Sequence, residues 1–95
     1  MNDSPVRVGV IGLGRSGHNI HLHTLDLCPG YTVVAVADTD RERADAVGAA
    51  RGIAAHHDAG SLIANPDVEL VVVASPNAFH APHAVAALQA GRHVV

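Results

Sequence analysis

A glycine-rich turn near the N-terminus constrains this chain more than any other feature. Residues 9–17 have the sequence GVIGLGRSG and continue an apolar segment, so the spacing Gly-x-Gly-x-x-Gly falls on Gly12, Gly14 and Gly17. Between a strand and a helix, the first glycine permits a tight turn, the second lets phosphates approach the backbone, and the third allows close packing of the helix on the sheet. The start of such a helix also attracts anions. The pattern therefore predicts a dinucleotide-binding site.

The remainder of the chain alternates strand-like and helix-like segments. The predicted strands span residues 6–11, 31–37, 53–56, 68–74 and 92–95. The predicted helices span residues 16–27, 39–51, a short segment capped by Asp58, and an alanine-rich segment that ends at residue 90. This alternation indicates parallel strands joined by helical crossovers. We therefore expect an α/β fold, a Rossmann-type doubly wound parallel sheet with the strand order 3-2-1-4-5.

Local residue chemistry suggests where some helices begin and end. Thr39 is followed three residues later by Glu42, a capping-box pattern that predicts a helix start. Gly52 is expected to end that helix. Pro82 fits the last helix if it lies in the first turn, where its missing N–H group is not needed.

Composition narrows the fold and function classes further. Apolar residues make up 48% of the 95 residues, yet there is one Tyr and one Phe, so the core must be aliphatic, as in parallel sheets covered by helices. Six Lys and Arg residues and a net charge of -3 argue against nucleic-acid binding, which requires a basic surface. Cys28 has no second cysteine with which to pair, and neither an export signal nor a membrane-spanning stretch is visible. We therefore expect a cytoplasmic protein without a membrane partner.

Asp38 is the residue that best indicates which dinucleotide is bound. It follows the second predicted strand, 21 residues after Gly17. A carboxylate there can accept hydrogen bonds from both ribose hydroxyls of adenosine and repels a 2'-phosphate, which favours NAD over NADP. The alternative is that Asp38 is a turn residue or a helix cap.

Charged and polar neighbours of the glycine pattern add further candidates. Arg15 and Ser16 lie within the turn, and Arg15 is placed to pair with a pyrophosphate. Arg41 and Arg43 can reach the adenosine edge and weaken the preference for NAD, although a solvated surface is the simpler interpretation. The eight histidines lie on different elements without the spacing of a metal site, so we assign no metal.

Four segments together resemble one enzyme family more specifically than the glycine pattern does. They are residues 12–15 (GLGR), 33–38 (VVAVAD), 65–77 (NPDVELVVVASPN) with His80, and 87–95 (ALQAGRHVV). Over nearly its whole length the sequence is similar to the N-terminal domain of the glucose-fructose oxidoreductase, inositol dehydrogenase and rhizopine catabolism family, Gfo/Idh/MocA. The resemblance implies NAD(P)-dependent oxidation or reduction of a sugar, a polyol or a related compound.

The same resemblance assigns residues to the two halves of the cofactor. It places Gly12, Gly14, Gly17 and Asp38 on the adenosine diphosphate half. On the nicotinamide side it places Ser75, Pro76, Asn77 and His80. For His80 the alternative is a residue at the start of a helix that fixes the loop.

The chain also departs from the family's pattern at its end. Family members continue after the fifth strand into a Glu-Lys-Pro segment with a catalytic lysine, and then into a second domain that carries an Asp and a His. We therefore expect residues 1–95 to be one dinucleotide-binding domain, a fragment of a longer, homo-oligomeric two-domain protein. No catalytic residue is assigned within it. The alternative function is a non-enzymatic NAD(P)-binding sensor or regulator of the same family type.

Overall fold

The computed structural model describes residues 4–14, 22–74 and 77–95, without the side chains of residues 77–81. The strands in these ranges are β1 (Val6–Ile11), β2 (Tyr31–Ala37), β3 (Ala54–His56), β4 (Leu70–Val73) and β5 (His93–Val94). The helical segments are α1 (residues 22–26), α2 (Arg41–Arg51), α3 (Ala59–Ala64) and α4 (Asn77–Gln89).

The strands form one parallel sheet in the order β3-β2-β1-β4-β5, which confirms the predicted topology. The central strand β1 pairs with β2 on one side and with β4 on the other. Ile11, the last residue of β1, is in register with Ala37 of β2 and Val73 of β4. The glycine turn that follows Ile11 therefore leaves the sheet between the carboxyl ends of two neighbouring strands, where open α/β sheets bind their ligands.

The core is aliphatic, as predicted, and lies in two clusters. Side chains alternate between the faces of a strand, so Val8 and Val10 of β1 belong to one cluster and Ile11 to the other. The first cluster includes Leu22 of α1 and residues of α2, whereas the second includes residues of α3 and α4. Helices therefore cover both faces of the sheet.

Gly9 in the middle of β1 is explained by close packing of the second cluster. A Cβ atom at this position would lie 2.8 Å from Leu62 Cδ2 and 3.1 Å from both Cγ atoms of Val68. Leu62 and Val68 are fully buried and have little room to move. The missing side chain thus lets α3 and the segment just before β4 approach the central strand.

Two predicted helix caps are confirmed, and two other details are wrong. Gly52 ends α2 with a φ of 66°, and the Asp58 carboxylate caps α3 by accepting the Ser61 N–H at 2.7 Å. The residue that caps the start of α2 is Asp40 rather than Thr39, because the Asp40 carboxylate accepts the N–H of Arg43. Pro82 lies in the interior of α4 rather than in its first turn.

Strand and helix ends also differ from the sequence prediction by small amounts. β4 begins at Leu70 rather than at residue 68, and β3 begins at Ala54 rather than at residue 53.

None of the helices in the described ranges has the length and apolar character required to cross a membrane.

Candidate functional site

The glycine turn is fixed at its base by the two strands beside it. The Gly12 N–H donates to the Ala37 carbonyl of β2 at 2.8 Å, and the Ala74 N–H beyond β4 donates to the Ile11 carbonyl at 2.8 Å. Gly12 has a φ of 95°, a conformation that side chains disfavour. The first glycine of the pattern is therefore required by the backbone itself.

Gly14 differs from Gly12 because none of the described residues requires a glycine there. Its φ lies outside the left-handed region, and a Cβ atom built on it meets no atom of the described residues within 4 Å. The residue is also exposed. Open space beside the second glycine is what the phosphates of a dinucleotide need in order to approach the backbone. The turn thus fits the group that the sequence predicts.

Asp38 lies at the carboxyl end of β2 and contacts the glycine turn directly. Its Oδ2 atom accepts the Leu13 N–H at 2.8 Å, and its Oδ1 atom accepts the Asp40 N–H at 2.9 Å. The side chain is only 10% exposed. Because Asp38 accepts this hydrogen bond from Leu13, the carboxylate and the turn lie at the same edge of the sheet. The Leu13 side chain is buried. The structure thus brings together Gly12, Gly14 and Asp38, and their contact with a cofactor stays a prediction.

Arg43 is the residue whose position at the site the sequence interpretation underrated. Its guanidinium lies 3.5 Å from Asp38 Oδ2 and 3.5 Å from Asp40 Oδ2, so it is not simply solvated surface. The two carboxylates outnumber the one guanidinium, which leaves this cluster negative. The sequence signal was the spacing itself, because a helix cap at Asp40 places Arg43 in the first helical turn, facing back toward the cap. Arg41, two residues earlier, is exposed.

Several of the predicted site residues lie outside the described part of the chain. These are Arg15, Ser16, Gly17, Ser75 and Pro76. Asn77 and His80 are the first and fourth residues of α4, which follows β4, and their side chains also lie outside the description. The assignment of these residues to the cofactor therefore stays a prediction.

Other charged groups in the described ranges serve local structure. The Arg51 guanidinium binds the Asp26 carboxylate, joining the ends of α1 and α2, and this hydrogen bond lowers the pKa of Asp26. The His57 ring lies 2.8 Å from the Asp45 carboxylate. The residues that the structure describes contain no group of three or more His, Cys, Asp or Glu placed to hold a metal ion.

Comparison with known sequences identifies relatives of this domain. A family model described as an oxidoreductase family with an NAD-binding Rossmann fold matches residues 6–95. Inositol 2-dehydrogenase 1 from Saccharopolyspora erythraea is 43% identical over 93 residues, which cover 95% of this chain and 27% of that protein. A 1-carboxy-3-chloro-3,4-dihydroxycyclohexa-1,5-diene dehydrogenase from Comamonas testosteroni is 41% identical over 95 residues, with coverage of 95% and 23%. The chain thus spans about a quarter of the length of these relatives.

Solved structures with the same fold contain both forms of the cofactor. A 3-ketoreductase from Actinomadura kijaniata, in complex with TDP-benzene and NADP, matches with a TM-score of 0.89 and 33% identity over 97% of this chain and 29% of that one. A dehydrogenase from Bordetella pertussis, in complex with NADH and UDP-GlcNAcA, matches with a TM-score of 0.86 and 30% identity, with coverage of 95% and 28%. The fold is therefore compatible with both phosphorylated and unphosphorylated dinucleotides.

Proposed function

Because the chain belongs to the Gfo/Idh/MocA oxidoreductase family, as its NAD-binding Rossmann-fold domain, we propose that it holds a nicotinamide dinucleotide for hydride transfer involving a sugar or polyol. The observation that carries this proposal is the space beside Gly14, which no described residue fills and which lies next to the Asp38 carboxylate. A glycine that neither its backbone conformation nor packing among the described residues requires is explained by a ligand that approaches it.

In this proposal three of the described residues have separate roles at the adenosine diphosphate half of the cofactor. Gly12 turns the chain out of the sheet, Gly14 leaves room for the pyrophosphate, and Asp38 accepts a ribose hydroxyl. Each carboxylate oxygen can accept two hydrogen bonds, so Asp38 can bind a ribose while it holds Leu13 and Asp40. When bound, the cofactor supplies the hydride chemistry.

The remaining assignments follow the family resemblance. In this proposal Arg15, Ser16 and Gly17 complete the pyrophosphate site. The nicotinamide side is formed by Ser75, Pro76, Asn77 and His80, at the exit of β4.

For the choice of cofactor, we favour NAD over NADP. A 2'-phosphate would approach Asp38 and Asp40, and among the described residues these two carboxylates share one guanidinium, that of Arg43, so they disfavour a further anion. The positive charge of Arg43 reduces the electrostatic repulsion between the 2'-phosphate and the two carboxylates without cancelling it. Binding of NADP is therefore weaker than binding of NAD, but it is not abolished.

The substrate and the proton-transfer groups belong to the rest of the proposed protein. We propose that this domain is part of a longer, homo-oligomeric, cytoplasmic dehydrogenase, whose second domain contributes the catalytic residues. The relative from Saccharopolyspora erythraea is named as an inositol dehydrogenase, which supports a polyol as substrate.

Titration calorimetry with parts of the cofactor tests this proposal. NAD and ADP-ribose should bind the chain with similar affinity, because both carry the adenosine diphosphate that Gly14 and Asp38 recognise. Nicotinamide mononucleotide, which lacks that half, should bind far more weakly. Absence of NAD and ADP-ribose binding at millimolar concentration would refute the proposal, as would equal binding of all three compounds.

A further inference from the structure

The Asp38 carboxylate accepts hydrogen bonds from two backbone N–H groups of the protein itself. One oxygen accepts the Leu13 N–H and the other accepts the Asp40 N–H. Leu13 lies 25 residues before Asp38 in the chain, so this hydrogen bond joins the end of β2 to the glycine turn. A residue that only recognised a ribose would not need this contact.

The hydrogen bond from the Leu13 N–H to Asp38 lies in the part of the turn whose residues have the greatest backbone freedom. Leu13 has a glycine on each side, and glycine has more backbone freedom than any other residue. The Leu13 side chain is anchored in the first core cluster and is 1% exposed. The Asp38 carboxylate holds the Leu13 N–H, so both the side chain and the backbone of the middle residue are fixed.

We propose that Asp38 is a positioning residue for the glycine turn, in addition to its contact with the ribose. It acts through Leu13, and it holds Gly14 in place for the pyrophosphate before the cofactor binds. This inference rests on the proposed function, because it concerns the same site. Its consequence is that Asp38 contributes to the binding of diphosphates that make no contact with the carboxylate, since an ordered turn loses less entropy on binding.

The test uses a nucleotide that has the diphosphate but lacks the hydroxyls. 2',3'-Dideoxy-ADP retains the phosphates for the glycine turn and cannot hydrogen-bond Asp38 through its ribose. Asp38→Ala should weaken binding of this compound roughly tenfold, which corresponds to fixing the backbone of about one residue on binding. Asp38→Asn offers one acceptor oxygen to the two N–H groups of Leu13 and Asp40, so its affinity should lie between those of the wild type and Asp38→Ala.

A matched control separates positioning from a general loss of negative charge. Asp45→Ala removes a carboxylate of α2 that contacts His57 and belongs neither to the glycine turn nor to the cluster of Asp38, Asp40 and Arg43. It should leave the affinity for 2',3'-dideoxy-ADP unchanged. If Asp38→Ala weakens ADP but not 2',3'-dideoxy-ADP, Asp38 only recognises the ribose and the inference is wrong. If the wild type binds neither ADP nor NAD, the proposed function fails instead.

Hydrogen exchange at the Leu13 amide gives a second readout that requires no variant. In the free wild-type chain this amide should exchange slowly, because its hydrogen is held by a carboxylate that is nearly buried. Exchange at the rate of an unprotected amide would overturn the inference even if Asp38→Ala did not fold. In a folded Asp38→Ala variant the exchange should become fast, and in Asp38→Asn, with one acceptor oxygen for two N–H groups, its rate should lie between those of the wild type and Asp38→Ala.

Discussion

Replacing Gly14 by alanine should separate cofactor binding from protein stability. The added Cβ meets no atom of the described residues within 4 Å, and the φ of Gly14 lies outside the left-handed region. Where the native backbone accepts alanine, the change stabilises a protein by about 0.4–1 kcal/mol through the unfolded chain. A change of 1 kcal/mol shifts the melting temperature of a domain this size by about 4–8 °C. We therefore expect melting at the wild-type temperature or a few degrees above it.

The same substitution should weaken the binding of NAD. The methyl group of Gly14→Ala would stand where the pyrophosphate approaches the backbone. Losing a hydrogen bond to a charged group costs about 1.5–3 kcal/mol, which corresponds to a roughly tenfold to hundredfold rise in the Kd for NAD. Calorimetric titration with NAD measures this change, and a thermal melt followed by circular dichroism measures stability on the same sample.

Two other glycines provide matched controls. Gly30→Ala also places a Cβ in open space, but at the amino end of β2, opposite the site, so neither stability nor NAD binding should fall. Gly12→Ala forces alanine to adopt a φ of 95° and should cost about 1–2 kcal/mol of stability. If Gly14→Ala binds NAD like the wild type, or melts as low as Gly12→Ala, the interpretation of Gly14 as a ligand-facing glycine is wrong.

Three further predictions concern packing, pH and cofactor preference. Gly9→Ala should lower stability by about 1–3 kcal/mol, because its Cβ would lie 2.8 Å from buried Leu62; urea unfolding with an unchanged midpoint would contradict this close packing. Asp58→Ala should destabilise the chain at neutral pH, and the deficit should shrink in acid. The Ser61 N–H lowers the pKa of Asp58 below its ordinary 3.8, so the stabilisation is present above that pH and is lost as pH falls through the folded-state pKa. A deficit that stays constant from pH 6 to pH 3 would exclude this cap as its cause. Asp38→Asn removes the charge and keeps one of the two acceptor oxygens, so the ratio of NADP to NAD affinity should rise; an unchanged ratio would show that the carboxylate does not face the ribose.

The sequence was sufficient for the topology because each strand and helix carries a local signal. The glycine turn, the Val-rich strands and the caps at Gly52 and Asp58 each depend on residues a few positions apart. Parallel strands joined by helices then leave few possible orders for the sheet. The aliphatic core follows from composition, since the chain has one Tyr and one Phe to place in it.

Contacts between residues that are far apart in the sequence could not be predicted from local patterns. The capping-box pattern selected Thr39 as the cap of α2, which is wrong, because Asp40 is an equally good capping residue and its carboxylate is the one that accepts the Arg43 N–H. The hydrogen bond between Asp38 and Leu13 crosses from β2 to the turn after β1, and no local pattern reports it. Gly9 is likewise explained only by the approach of Leu62 and Val68. These features depend on how the elements pack.

A structure of the chain with NAD bound tests the central claim most directly. It should show the pyrophosphate against Gly14 and a hydroxyl of the adenosine ribose within hydrogen-bond distance of the Asp38 carboxylate, with the Leu13 N–H still held by Asp38. NAD bound away from the glycine turn, or with its adenosine ribose turned away from Asp38, would contradict the proposed site.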